Sequence, residues 1–377
     1  MTDVAEISRT LQELAALPAD RPMGMPGRFY TDPKWFEHES ANVLRQGWHC
    51  LGRVDEVPEP GDFFTAQVLN EPMIIVRGDD DQVRVLANVC RHRGMPLAEG
   101  RGNVKRFVCT YHAWAYGRDG GLLRAARMEN AGFKTDNCRL YGFNTQFWNG
   151  FIYVNLDDQA APFDHPELDT LLSAYETETF RLVHVAEENW HTNWKCLVEN
   201  FMEGYHLSVV HPKTLHDYTP TGLARKGPAG GGFTSYCANY PQDIPSRGMG
   251  APGLSETEQM RSTLFSIFPT QVASQAATLL VSISIFPLGA DLIRVKWTMS
   301  TYGDQLDDET IQGRIKLWEE VNREDREKLE KMQVALKSNH AQAGPLAADD
   351  YEGTIRDFQI WLAQMEAAGG PQVEAAE

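Results

Sequence analysis

The chain has 377 residues, of which 42% are hydrophobic and 23% charged, and a formal net charge of −17. This length buries one large core or two moderate ones, in a composition ordinary for a globular protein. The acidic balance opposes contact with a phosphate backbone and so excludes nucleic acid as a partner.

The first residues, MTDVAEISRTLQELAAL, carry an early acid and no apolar leader core. No stretch approaches the roughly 18 to 20 uninterrupted apolar residues of a membrane span, and the expectation is a cytoplasmic protein. Six cysteines in such a chain point to a reducing compartment. Cys50, Cys138, Cys196 and Cys237 are expected as small buried or half-buried side chains.

Residues 1–45 alternate a short amphipathic helix, a Pro/Gly-rich stretch and a second helix, KWFEHESANVLRQ, and are expected to form an arm packed on the larger domain at 157–377. Residues 46–156 change to short β-rich runs such as MIIVRG, VRVLANV and FIYVNL between turn residues, the texture of a small β domain. Residues 157–377 form the larger remainder. In it, NWHTNWKCLVENFMEGYHLSVVH reads as one helix stopped at Pro212. Residues 217–262 are too rich in Gly and Pro for regular structure and are expected to be a mobile loop. TLLVSISIF and LIRVKWTMS, joined by PLGAD, read as a half-buried β-hairpin. A long helix from about Asp308 to Leu336 and a shorter one at TIRDFQIWLAQM follow, then a tail at 368–377 expected to be disordered. No internal repeat is visible. The fold class is α+β.

Two Cys-His pairs share one window: Cys90-x-His92, sixteen residues, then Cys109-x-x-His112. Two thiolates and two imidazoles ligate either a tetrahedral zinc or a two-iron cluster with the thiolates on one iron and the imidazoles on the other. The β-rich setting, the neighbours Arg91, Arg93, Tyr111 and Trp114, and the turn residues Gly94, Pro96 and Gly117 favour the cluster. Here the sequence resembles the Rieske iron-sulfur family, whose motif these residues match.

The second constellation lies in ENFMEGYHLSVVHP, with Glu199, Asn200, Glu203, His206 and His211. Five residues put the two histidines about 140° apart on an ideal helix, so both reach one metal only if the helix distorts or ends. By itself such a pair beside a helix end is more often structural than metal-ligating. On the C-terminal helix, Asp325 falls within the apolar face between Val321 and Leu329, whereas Arg323 and Glu324 are expected to point away. A carboxylate on a buried face is ion-paired, protonated or metal-bound. His206, His211 and Asp325 together make a two-histidine, one-carboxylate face that leaves open positions on an octahedral iron(II).

With both motifs in order, the chain resembles the catalytic α subunit of a Rieske non-haem iron oxygenase. The resemblance implies an all-β Rieske [2Fe-2S] domain joined to a helix-grip catalytic domain, an antiparallel sheet with a long C-terminal helix, in a homotrimer. It implies a [2Fe-2S] cluster on Cys90, His92, Cys109 and His112, and Fe(II) on His206, His211 and Asp325. Glu203 takes the place of the family's bridging acid, linking His112 of one subunit to His206 of the next, with Asn200 behind it. The commoner acid there is Asp; the Glu, with the YHAWAYG and EDREKLEKMQ contexts, resembles carnitine, glycine betaine and choline monooxygenase-type oxygenases.

The implied reaction activates O2 with electrons from NAD(P)H and oxidises a quaternary ammonium or N-methyl substrate next to nitrogen. Because no G-x-G-x-x-G is present, nicotinamide binding falls to a separate flavin and iron-sulfur reductase. Tyr205, Tyr236, Phe265 and Trp297 are the candidate substrate walls, with Tyr218 and Tyr240 as further aromatics. Three competing readings are an oxygenase or O-demethylase of aromatic compounds, a Rieske electron carrier or binding protein, and a zinc hydrolase on His206, His211 and Asp325.

Overall fold

The computed structural model describes residues 4–128, 133–244 and 247–369. The chain opens with three helices, α1 (Val4–Ala15), α2 (Arg28–Thr31) and α3 (Pro33–Glu39). Asp32 starts α3: its side chain accepts from the amides of Lys34 and Trp35 at 2.8 and 3.2 Å, and Pro33 occupies the first turn, where no amide is needed.

The chain divides into two units, His49–Ala161 and a second composed of residues up to Trp48 and from Pro162 on. Among the described residues, the first unit holds ten short strands: β1 (Trp48–Arg53), β2 (Asp62–Val68), β3 (Glu71–Arg77), β4 (Val83–Ala87), β5 (Arg101–Asn103), β6 (Phe107–Val108), β7 (Ala115–Tyr116), β8 (Leu122–Arg124), β9 (Asn144–Trp148) and β10 (Phe151–Asn155). They pair as three small sheets, ordered β1-β10-β9, β4-β3-β2-β5 and β6-β7-β8. Phe63, Ile74, Val76, Leu86, Phe107 and Tyr116 fill the core between them, and Cys90 and Cys109 belong to that core.

In the second unit, α4 (Pro166–Leu172) leads to a seven-stranded antiparallel sheet in the order β11-β17-β16-β15-β14-β13-β12. Its strands are β11 (Phe180–Trp190), β12 (Ala224–Lys226), β13 (Phe233–Asn239), β14 (Arg261–Ile267), β15 (Gln271–Gln275), β16 (Leu279–Gly289) and β17 (Leu292–Tyr302). Between β11 and β12 lie α5 (Trp194–Phe201) and α6 (Leu207–Val210), and before β14 lies α7 (Glu256–Gln259). Two long helices close the chain, α8 (Asp308–Ala335) and α9 (Asp349–Gly369). α8 packs on β11 and α5, and α9 on α1, α5, β12 and β13. Among the described residues, no helix is long and apolar enough to cross a membrane.

Two sequence expectations need correction. Residues 217–262 are not irregular throughout, since β12 pairs with β13 and β13 with β14; the glycines of GPAGGG make the turn of a hairpin between paired strands. The tail does not begin at 368, because α9 runs to Gly369; the rest of the expected tail lies outside the described residues.

Buried polar contacts join the arm to α5. Lys195 Nζ lies 2.6 Å from Glu39 Oε2, with both side chains out of solvent. The Tyr30 hydroxyl donates to the Glu199 carboxylate at 2.9 Å.

Candidate metal centres

The two Cys-His pairs sit on similarly built loops. The Cys90 amide donates to Met95 O and its carbonyl accepts from the Gly94 amide, both at 2.9 Å. Gly94 takes φ +78°, a backbone region that costs glycine little. In the second loop the Cys109 amide donates to Trp114 O at 2.8 Å, and its carbonyl accepts from the Ala113 amide at 3.0 Å. Both thiols are buried, whereas both imidazoles face solvent with their Nδ1 atoms 3.1 Å apart. The His92 ring is held by stacking on Trp114, at 4.9 Å between centroids and 9° between planes. The Tyr116 hydroxyl accepts from the Arg91 amide at 3.0 Å and lies 3.3 Å from Cys90 Sγ. Burial, with the sulfur beside it, holds that hydroxyl well above its ordinary pKa, so it keeps its proton and can donate it to the sulfur.

Two soft donors inside and two nitrogens outside suit a two-iron cluster. Among the described residues, the set of three or more His, Cys, Asp or Glu donors lying within 4.8 Å of one another is His206, His211 and Asp325. The four Cys and His donors do not gather that tightly, as ligands of a single zinc would have to.

The second centre forms where the expected single helix breaks. α5 ends at Phe201 and α6 begins at Leu207. Glu203 is responsible in part, because its carboxylate accepts from the amides of Tyr205 and His206 and so substitutes for helical partners. Gly204 is required by crowding: a Cβ there would meet the Ala224 Cβ at 2.5 Å. The break turns His206 towards His211, with their ring centroids 5.2 Å apart.

Each histidine is oriented by a carboxylate on Nδ1. Glu203 Oε1 contacts His206 Nδ1, and Glu324 Oε2 lies 2.8 Å from His211 Nδ1 while accepting from Thr214 Oγ1 at 2.7 Å. Glu324 therefore does not point away, which corrects the helix-face reading. Its Cα lies off the buried face, but its longer side chain curls back. With Nδ1–H donated to the carboxylates, both Nε2 atoms face Asp325 Oδ1, at 3.1 Å from His211 and 3.7 Å from His206. Asp325 Oδ1 is buried and has no hydrogen-bond partner among the described residues. Three electron-rich atoms converging out of water require a cation among them. The same demand appears in His206: burial opposes its charged form, yet the carboxylates of Glu203 and Asp325 outweigh burial and raise its pKa. A divalent metal meets that demand, so the residues fit an iron as well as a cluster.

The candidate substrate residues separate. Strand register puts Tyr236 opposite Leu264, and Trp297 opposite Ile283, on one face of the sheet. Burial first, then the carboxylates of Glu203 and Asp325, hold the Tyr236 hydroxyl well above its ordinary pKa, and that hydroxyl lies 3.5 Å from Phe201 O at the end of α5. Trp297 is buried against His184, at 4.4 Å between centroids. Phe265 lies on the opposite face, because side chains alternate along a strand, and it leaves the candidate wall. Tyr205 is 56% exposed and leans on Tyr351. Asn200 Nδ2 is buried without a partner among the described residues, as is Nδ2 of Asn322 on α8.

Sequence reasoning missed Glu324. The signal was available: an acid adjacent to the inward Asp on the same helix, long enough to reach a histidine.

Comparison with known proteins places this geometry in a class. Residues 174–368 match the family model of the ring-hydroxylating alpha subunit catalytic domain, and residues 47–137 match the Rieske [2Fe-2S] domain. The chain belongs to the ring-hydroxylating α-subunit family, whose members combine a Rieske cluster with a non-haem iron. It is similar to the carnitine monooxygenase oxygenase subunit of Escherichia coli K12, at 36% identity over 194 residues, 50% of this chain and 52% of the relative. The chain thus spans about half the length of that curated relative. The glycine betaine monooxygenase oxygenase subunit of Chromohalobacter salexigens is 27% identical over 379 residues, covering 89% and 84%. Among solved structures, a quaternary ammonium Rieske monooxygenase in complex with L-carnitine superposes with a TM-score of 0.76 at 22% identity, covering 94% of this chain and 99% of that one. Naphthalene 1,2-dioxygenase from Rhodococcus sp. superposes at 0.82 with 20% identity, covering 97% and 99%. These likenesses establish the shared fold.

Proposed function

We propose that this chain is the terminal oxygenase component of a cytoplasmic Rieske oxygenase. It hydroxylates a small quaternary ammonium or N-methyl substrate at the carbon next to nitrogen, and the product collapses to a demethylated amine and an aldehyde. A separate reductase supplies electrons from NAD(P)H, and the working assembly is a homotrimer. The observation that carries this reading is the buried, unpartnered Asp325 Oδ1 facing Nε2 of His206 and His211, in a chain whose other unit holds two thiols and two imidazoles. Support for the substrate class comes from relatives named for carnitine, glycine betaine and choline. All six cysteines are free, in keeping with a reducing compartment.

Cys90, His92, Cys109 and His112 would hold the cluster, and His206, His211 and Asp325 the iron. Bound, the two groups supply one-electron relay and O2 activation. The chain's own residues set the conditions. Glu203 and Glu324 keep the Nδ1 protons and leave the Nε2 lone pairs for the metal. Two histidines and one carboxylate would fill only part of the coordination sphere of a bound iron. Tyr236 and Trp297, on one face of the sheet, are the candidate rings for a cationic nitrogen, an attraction of about 0.5–2 kcal/mol per ring where a face is reached. Glu203 is the acid that would connect to His112 of a neighbouring copy.

The test is oxygen consumption by the purified chain with a surrogate reductase, comparing carnitine, betaines and choline with benzoates and phenyl ethers. Turnover of the first group with formaldehyde release is expected, and it should vanish in Asp325→Ala while the red-brown cluster colour stays. Turnover of the aromatic set alone would overturn the substrate reading; activity surviving in Asp325→Ala would overturn the site.

A further inference from the structure

Three turns along α8 from Asp325 is a cavity of about 580 Å³, lined among others by Asp217, Tyr218, Ile244, Arg247, Arg314 and Leu317. Two guanidinium groups line it in a chain whose acids outnumber its bases by 52 to 35. Among the described residues, no ion pair joins Asp217 or any other carboxylate to either arginine. Arg247 is positioned instead by rings: its guanidinium lies 3.9 Å from the Tyr218 centroid and 5.3 Å from that of Tyr240. Tyr240 is fixed in turn by a 2.8 Å contact with Ser262 Oγ.

Arg314 is half-buried and has no hydrogen-bond or ion-pair partner among the described residues. Burial and the neighbouring charge of Arg247 push its guanidinium below the ordinary value. Two like charges sharing a partly desolvated space cost free energy that an anion between them would recover. The planar fork of arginine matches a carboxylate with two parallel bonds. Eleven residues separate Arg314 from Asp325 on one helix, which puts them about 20° apart in azimuth and about 16 Å apart in rise.

We infer that Arg247 and Arg314 form a binding site for the carboxylate of a small organic acid, on the same face of α8 as the Asp325 triad. As a subsite for the acidic end of a zwitterionic substrate it rests on the proposed function; as a site for a separate carboxylate it does not. In either case Arg314 forms the two-bond contact, and Arg247, held flat by Tyr218 and Tyr240, adds the second charge.

The test uses the holoenzyme and two probes, an ω-trimethylammonium carboxylate and its methyl ester. Calorimetry without reductase should show the acid binding more tightly than the ester. Arg314→Gln and Arg247→Gln should each weaken the acid by about tenfold or more, the scale of a lost charge-assisted bond. Arg314→Lys, which keeps charge but loses the fork, should fall between, with cluster absorbance serving as the folding control.

If the reductase-coupled assay gives turnover, the ratio of kcat/KM for acid over ester should drop by the same factor, identifying the substrate's carboxylate as the ligand. Acid binding that depends on the arginines but neither turns over nor competes with the ester identifies a separate carboxylate, and the site stands even if the substrate reading fails. Equal affinity for acid and ester, or unchanged acid affinity in both Gln variants, overturns the inference.

Discussion

Replacing Glu324 by Ala tests whether the centre depends on more than its three inward donors. The change removes the acceptor of His211 Nδ1–H and of the Thr214 hydroxyl, both on the same oxygen. His211 is 1% exposed, so water cannot easily take over, and the ring loses both its orientation and the polarisation that makes Nε2 a better donor. Losing such an outer carboxylate costs about 10- to 100-fold in metal affinity, or about 1.4–2.7 kcal/mol. Glu324→Gln keeps a neutral acceptor and should sit at the lower end of that range. The assay is competition for ferrous iron by a coloured chelator, with the cluster absorbance as an internal control because the cluster donors lie in the other unit. Wild-type iron retention in Glu324→Ala would refute the argument and return Glu324 to the role of a surface acid.

Tyr116→Phe removes the hydroxyl 3.3 Å from Cys90 Sγ and should lower the reduction potential of a retained cluster, read by redox titration of its colour. Lys195→Met leaves Glu39 buried without its counter-charge and should destabilise the second unit by about 3–5 kcal/mol, measured by chemical denaturation. Glu199 is pushed up to about 8, first by burial, against about 4.3 in an unfolded chain. Its contribution is therefore fully present below about pH 4.3 and is lost as pH rises towards 8. Glu199→Gln should lose less stability than wild type between pH 5 and 8; parallel Tm profiles for the two proteins would contradict this.

What was legible in the sequence was whatever depends on short spacing. The Cys-His pairs each close a tight loop, so their separation along the chain nearly determines their separation in space. The β16–β17 hairpin was equally readable, since Val281, Ile283 and Ile285 alternate with serines and the turn follows directly. Asp325 stood out because a carboxylate inside an apolar stripe has to be paired, protonated or bound to a metal. The break between α5 and α6 was harder, because it depends on a side chain competing for backbone amides and on Gly204 meeting Ala224, a residue twenty positions away. Glu324 was misread for a related reason: helical azimuth locates a Cα, not the end of a three-bond side chain. The opposite placement of Phe265 and Tyr236 follows from pairing register, which composition alone does not supply. The cavity at Arg247 and Arg314 joins a loop to a helix more than sixty residues on, and nothing local announced it.

The arm and α5 are separated in the sequence by the whole of the inserted β unit, and this imposes an order on synthesis. Glu39 and Lys195 are 156 residues apart, and Tyr30 and Glu199 are 169 apart. At roughly 5–20 residues per second, the ribosome releases the arm on the order of ten seconds before either partner exists. Over that interval Phe29 and Trp35, which end up sealed from solvent, have only each other and the rest of the arm to pack against. The nascent chain must keep these side chains from straying while the β unit folds ahead of the domain that surrounds it in the sequence.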